Sequence, residues 1–228
     1  MCLILRKTKK QAPEKQNIRK GIFITFEGID GCGKSTQAGL LADNLRRRGL
    51  RVVLTSEPGS TKLGRNLRKI LLTPGSRVGK VAELLLFEAD RAQHVSEVIL
   101  PALESGSAVI CDRYSDSTRA YQGIGRGLGV ELVDSLDRVA TGNVYPDLTI
   151  LLDMAPERGV GRARLRGALT RIDREDLGFH AKIRRAFLNL AAGEAGRFRV
   201  VPAEAAMDRV AASVERVVLA VLKSRGLV

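Results

Sequence analysis

Apolar residues along this chain follow two rhythms. Five short unbroken runs, GIFITF (21–26), RVVLT (51–55), SAVIC (107–111), DLTILLD (147–153) and RFRVV (197–201), are too short and too continuous for amphipathic helices. Between them the apolar positions recur with helical spacing, as with Leu41 and Leu45 four apart and Leu40 beside them. Continuous runs separated by helical patterns predict strands of a parallel sheet buried on both faces. The expected fold class is α/β, a five-stranded parallel sheet between two helical layers. Ligands of such a sheet sit beyond the carboxyl ends of the strands. Pro101 lies inside the helical stretch VAELLLFEADRAQHVSEVILPALESG and is expected to kink it near its end. A chain of 228 residues supports one full core, so a single domain over 21–228 is expected after a basic segment, 1–20.

The first strand and the first helical pattern are joined by FEGIDGCGKSTQ (26–37). Gly28, Gly33, Lys34 and Ser35 satisfy the spacing G-x-x-x-x-G-K-[ST]. That spacing serves a loop whose backbone N–H groups converge on phosphate oxygens, with lysine on the outer phosphates and the hydroxyl on magnesium. Strand, glycine loop and helix stand in the order the loop needs. Cys32 reads as a small filler within it, not as a reactive thiol.

Charge narrows the choice of partner. The formal net charge is +13, but it is concentrated in two places. Residues 1–20 carry seven basic side chains against Glu14, and residues 157–185 carry eight arginines and Lys182 against four acids. The rest is nearly balanced, a weak footprint for duplex binding, which wants one broad basic face. The arm reads as solvated chain and not as a secretory signal, because its short apolar run precedes the charges. No apolar run approaches membrane-spanning length. Cys2, Cys32 and Cys111 show no paired spacing, so a reducing cytoplasmic setting without zinc is expected. His94 and His180 read as structural.

Polar segments follow each strand. SEPGST and LGRNLRKILL come after the second, CDRYSDSTRAYQG after the third, and MAPERGVGRARLRGALTRIDRED after the fourth. A phosphate-transferring enzyme needs a second pocket to hold an acceptor in line, and these segments supply groups of the right type. Asp112 at a strand end is a candidate for the magnesium shell. Arg113 beside it can fork onto an acceptor phosphate. Phe87 and Arg91 are four apart on one helical face, offering a ring for a base and five donors for its carbonyls.

Taken together, FEGIDGCGKSTQ, EPGST, LLFEADRAQH, VICDRYSDSTRAYQGIGRGL, ATGNVYPDLTILLD and RARLRGALTRID closely resemble the bacterial thymidylate kinase family. The resemblance implies a phosphate-loop kinase fold and transfer of the ATP γ-phosphate to dTMP, giving dTDP and ADP, with Mg2+. It implies that Gly28, Ile29, Asp30, Gly31, Cys32, Gly33, Lys34, Ser35 and Thr36 hold ATP, with Ser35 and Asp112 toward the metal. For dTMP it implies Asp30 at the 3′-hydroxyl, Arg68 and Arg113 on the phosphate, and Glu57 and Pro58 shaping that corner. Phe87 is expected under thymine, Arg91, Thr118 and Gln122 at its polar edge, and Tyr121 crowding the 2′ position. Where some members carry a loop arginine, this chain has Gly31. The missing charge is therefore expected from a lid, 157–172, with Arg162, Arg166 and Arg171 as candidates. Ser56 and Ser60 replace an arginine and a glycine common in the family, and Arg65 stands where many members have glutamate. A cytoplasmic homodimer is expected, with no nucleic acid and no membrane as partner. A kinase for another monophosphate, a nucleic-acid-stimulated ATPase and an inactive relative stay compatible with the motifs.

Overall fold

The computed structural model describes residues 20–165, 167 and 169–228. The arm over 1–19 and the lid candidate Arg166 lie outside the described residues. Each apolar run becomes a strand: β1 (Ile22–Glu27), β2 (Val52–Ser56), β3 (Ala108–Asp112), β4 (Leu148–Asp153) and β5 (Phe198–Pro202). They form one parallel sheet in the order β2-β3-β1-β4-β5. Every strand starts one residue later than its apolar run, and most reach one residue further. The added ends, such as Glu27, Ser56 and Asp112, are polar, and pairing uses backbone groups that a hydropathy pattern does not see.

The unbroken runs follow from burial on both faces. Ile22, Ile24, Phe26, Ala108, Ile110, Leu148 and Ile150 pack on one side. There they meet α1 (Lys34–Arg47), α8 (Leu177–Gly193) and α9 (Met207–Ser224) through Leu41, Leu45, Ile183, Phe187, Val214 and Val218. Phe23, Val109 and Cys111 pack on the other side with Val95, Ile99, Leu103 and Tyr114. A further layer is built from α2 (Lys62–Leu72), α3 (Lys80–His94) and α6 (Val130–Thr141), with α3 packed against both neighbours.

The irregularity expected at Pro101 falls just before it. After α3 the chain makes a π-helical turn, Val95–Ile99, in which the Leu100 N–H bonds back to the Val95 carbonyl. Helix α4 (Leu100–Glu104) then carries Pro101 in its first turn, where a missing N–H costs little. Past β3 come the short α5 (Ser115–Thr118) and a second π-helical turn, Arg119–Gly125. Helix α7 (Pro156–Leu165) follows β4. Phe26 and Ser56 both stand opposite Asp112 across the sheet. The carboxyl ends of β1, β2 and β3 are thus level, and the polar segments that follow them open onto one edge. No helix of the described residues is long and apolar enough to cross a membrane.

Candidate active site

The phosphate loop runs from β1 into the amino end of α1, whose free N–H groups and dipole favour an anion. Gly33 caps the helix with φ 99°, a left-handed conformation that a side chain would strain. Lys34 is buried, and its Nζ donates to the carbonyls of Gly28 at 3.2 Å and Ile29 at 2.9 Å. The Ser35 hydroxyl donates to Oδ2 of Asp112. The other oxygen, Oδ1, is buried without a hydrogen-bond partner among the described residues. Burial pushes the Cys32 thiol up, consistent with a filler.

Arg113 adopts φ 71°, uncommon for a non-glycine residue and a mark of over-determined surroundings. Its Nη2 donates to Asp30 at 2.6 Å, and its Nη1 donates to Ser117 Oγ at 2.9 Å and the Gly28 carbonyl at 3.2 Å. Tyr121 OH donates to the second Asp30 oxygen at 3.0 Å. Burial alone would raise the Asp30 carboxyl, but the charges of Arg113 and Lys34 outweigh it and hold the group well below the usual range.

Glu27 is a residue the sequence reading missed. Fully buried at the end of β1, it accepts from the Tyr114 N–H at 2.8 Å and the Ser117 hydroxyl at 2.6 Å, so it holds the turn that presents Arg113. Burial and the nearby Asp116 push its carboxyl up to about 7. On the β2 side, the Ser60 hydroxyl closes the turn by donating to the Ser56 carbonyl at 2.6 Å and accepting from the Ser56 N–H at 3.0 Å, which gives the Ser60 side chain a role. Arg68 donates to the Pro58 carbonyl at 2.7 Å.

Arg91 is 1% exposed and surrounded by acids from α3, α6 and the loop after β2. Nε donates to Glu57 at 3.0 Å, Nη1 to Glu88 at 2.9 Å and Asp137 at 3.2 Å, and Nη2 to Thr118 at 2.9 Å. The expectation of five donors free for a base is therefore corrected. Four N–H groups are committed to protein, and one Nη2 hydrogen remains. His94 bridges Thr55 at 2.6 Å and the other Glu57 oxygen at 2.9 Å, a structural role.

Two adjoining cavities gather these groups. One is lined by Phe87, Arg91, Thr118, Tyr121 and Gln122 together with Tyr114, Leu72 and Ile172. The other surrounds the loop with Gly31, Gly33, Lys34, Ser35, Thr36 and Asp112. Asp30, Glu57, Pro58, Arg68 and Arg113 line both, as do Thr170 and Asp173, which the sequence reading had not singled out. Phe87 is half-buried at the edge of the core and also faces the cavity.

The lid candidates separate. Arg162 is exposed on α7 and lines neither cavity. Arg171 is anchored through two of its nitrogens: Nε donates to the Leu71 carbonyl at 3.0 Å, and Nη2 pairs with Glu83. Gly31 faces Gly159 of α7 so closely that a methyl group there would meet the Gly159 carbonyl.

A glycine-rich phosphate loop at the switch point of a parallel sheet, opening onto a second cavity, defines a phosphate-loop kinase fold. A family model described as thymidylate kinase matches residues 26–214. The chain is 46% identical to the thymidylate kinase of Trichlorobacter lovleyi, over 87% of this chain and 97% of that one. It is 48% identical to that of Desulfovibrio desulfuricans, over 90% and 98% respectively. Its fold matches the crystal structure of thymidylate kinase from Ehrlichia chaffeensis with a TM-score of 0.73 at 34% identity, covering 87% of this chain and 98% of that chain. The chain belongs to the thymidylate kinase family.

Proposed function

We propose that the chain transfers the γ-phosphoryl group of ATP to the phosphate of dTMP, with the donor on the loop and the acceptor in the neighbouring cavity. One observation carries the assignment of sides: the two cavities share Asp30, Arg68 and Arg113, so two phosphate chains entering from opposite ends meet there. In this reading Lys34 and the loop N–H groups hold the ATP phosphates. Arg113 and Arg68 grip the acceptor phosphate, and Asp30 accepts the 3′-hydroxyl. Holding both reactants in line is most of what such a transfer requires. Ser35 and Asp112 suit Mg2+, a hard cation that takes oxygen ligands and binds with substrate phosphates. The unpartnered Asp112 oxygen supports the fit. Mg2+ there would neutralise phosphate charge. Arg162 and Arg166 remain the lid candidates for the rest of that charge.

Phe87 would stack on the base, with the last Arg91 hydrogen on a carbonyl. Cytosine carries an amino group where thymine carries that carbonyl, so it would set donor against donor at a cost of about 1–3 kcal/mol. A coupled assay with ATP, Mg2+ and dTMP, dUMP, UMP or dCMP tests the assignment. Phe87→Ala should weaken dTMP by roughly 1–3 kcal/mol while leaving ATP nearly unchanged. Equal weakening of both substrates would return Phe87 to the core. We also propose a homodimer through α2, α3 and α6, which expose Leu63, Ile70, Val81, Leu85, Leu132 and Val139 on adjoining helices.

A further inference from the structure

Glu83 stands one helical turn before Phe87 on α3, behind the base-cavity wall and not in it. It is 1% exposed, yet three donors converge on its carboxylate. Gln122 Nε2 donates to Oε1 at 2.7 Å, Arg126 Nε donates to the same oxygen at 3.2 Å, and Arg171 Nη2 pairs with Oε2. Burial would raise this carboxyl, but the hydrogen bonds from Gln122 and Arg171 and the charge of Arg126 hold it below its ordinary range. The carboxylate is also pinned in place, since Arg126 reaches on to Glu175 at 2.6 Å and Arg171 to the Leu71 carbonyl at 3.0 Å.

An ionised carboxylate only accepts hydrogen bonds. The Gln122 amide must therefore turn its NH2 toward Glu83, because the flipped amide would set oxygen against oxygen. Its carbonyl oxygen is then left for the cavity that Gln122 lines. We propose that Glu83 is a positioning residue for base selection. By fixing the Gln122 amide, it presents an acceptor to ring position 3 of the nucleobase, so the pocket takes a base with an N–H there and refuses one with a lone pair. Thymine and uracil carry that N–H, and cytosine carries the lone pair. This control is separate from Arg91, which faces the exocyclic group. A carboxylate with two arginines locks the orientation where a neutral partner would leave the amide free to turn.

The inference rests on the cavity being the nucleobase site, and the experiment separates the two. In the full-length enzyme, kcat/KM for dTMP and dCMP is measured alongside thermal stability. Glu83→Met should lower the dTMP preference at least about tenfold, through the KM for dTMP, with kcat at saturation and the KM for ATP within about twofold. Gln122→Glu should lower the preference too, by setting two carboxylates face to face. Adding Glu83→Gln to that variant exchanges donor and acceptor across the pair and should restore the preference to within about threefold. A merely structural role would not move a ratio of substrates. Should Glu83→Met fail to fold, the exchanged pair decides alone. A folded Glu83→Met with wild-type preference, or an exchange that restores nothing, overturns the proposal. Unchanged preference and dTMP KM in Gln122→Ala overturn it as well, by removing the base-site reading beneath it.

Discussion

The lid helix and the phosphate loop meet glycine to glycine, and one methyl group tests the consequence. At Gly31, φ 79° disfavours any side chain, and a Cβ would meet the Gly159 carbonyl oxygen and lie 2.7 Å from its carbon. Those atoms are backbone, so nothing flexible can swing aside. The conformational penalty is about 1–2 kcal/mol, and forced overpacking adds about 1–3 kcal/mol. Gly31→Ala should therefore cost roughly 2–5 kcal/mol, the sum of those two terms. Gly33→Ala isolates the first term, since Gly33 has φ 99° but nothing within 4 Å of a Cβ. Gly161→Ala on α7, also open but not at positive φ, should stabilise by up to about 1 kcal/mol as a helix-interior replacement. The assay is equilibrium urea denaturation of the three variants, and the decisive quantity is the gap of about 1–3 kcal/mol between Gly31→Ala and Gly33→Ala. From the other side, a Cβ at Gly159 would lie 2.6 Å from the Asp30 carbonyl, so Gly159→Ala should be costly and non-additive with Gly31→Ala. If Gly31→Ala is no worse than Gly33→Ala, α7 does not rest on the loop as described. The same contact leaves no room for an arginine at position 31 while α7 stays in place.

Two further outcomes follow from charge and from the exposed face. Burial pushes Glu88 up to about 7 from its ordinary 4.5, against the lowering pull of Arg91, so its contribution is present below pH 4.5 and is lost as pH rises through 7. Glu88→Gln removes that loss, so its stability relative to wild type should improve by up to about 3 kcal/mol between pH 4.5 and 8, and a pH-independent difference would refute the reasoning. For the proposed dimer, Val139→Glu places a charge on a residue that is 84% exposed, and sedimentation should give a dimer for the wild type and a monomer for the variant. An unchanged mass would move the interface elsewhere.

Where the chain was legible, the chemistry was local. The strands could be read because both sheet faces are covered, and the phosphate loop because its turn demands Gly28 and Gly33 while phosphate and metal chemistry call for Lys34 and Ser35. Phe87, Thr118, Tyr121 and Gln122 were found through the segments that carry them, and they line one cavity. Asp30 beside Arg113 and Glu57 beside Arg91 were named, but the further buried acids escaped. Glu27 ends a strand, Glu83 and Glu88 lie on α3, and Asp137 lies on α6, each looking like one more solvated carboxylate. Only the packing of the helices buries them, and helical periodicity does not distinguish a charge facing water from one facing Arg91 or Gln122. The density of arginines in the lid likewise could not separate the anchor Arg171 from a free guanidinium, because Glu83 lies 88 residues away in the chain.

Under the function proposed above, that hidden shell changes how a base would be selected. A free Arg91 would attract any base with a carbonyl, and would move as it did so. With Glu57, Glu88, Asp137 and Thr118 holding it, the guanidinium is fixed and its charge is offset, leaving one hydrogen with one direction. Gln122 is constrained in the same manner by Glu83, leaving one acceptor. A mismatched base would then have to accept an unpaired buried group, because neither partner can turn to meet it, and that penalty exceeds the modest net gain of a matched hydrogen bond. In that reading, rigid partners would convert two hydrogen-bond positions into a discrimination that the same side chains could not supply if mobile.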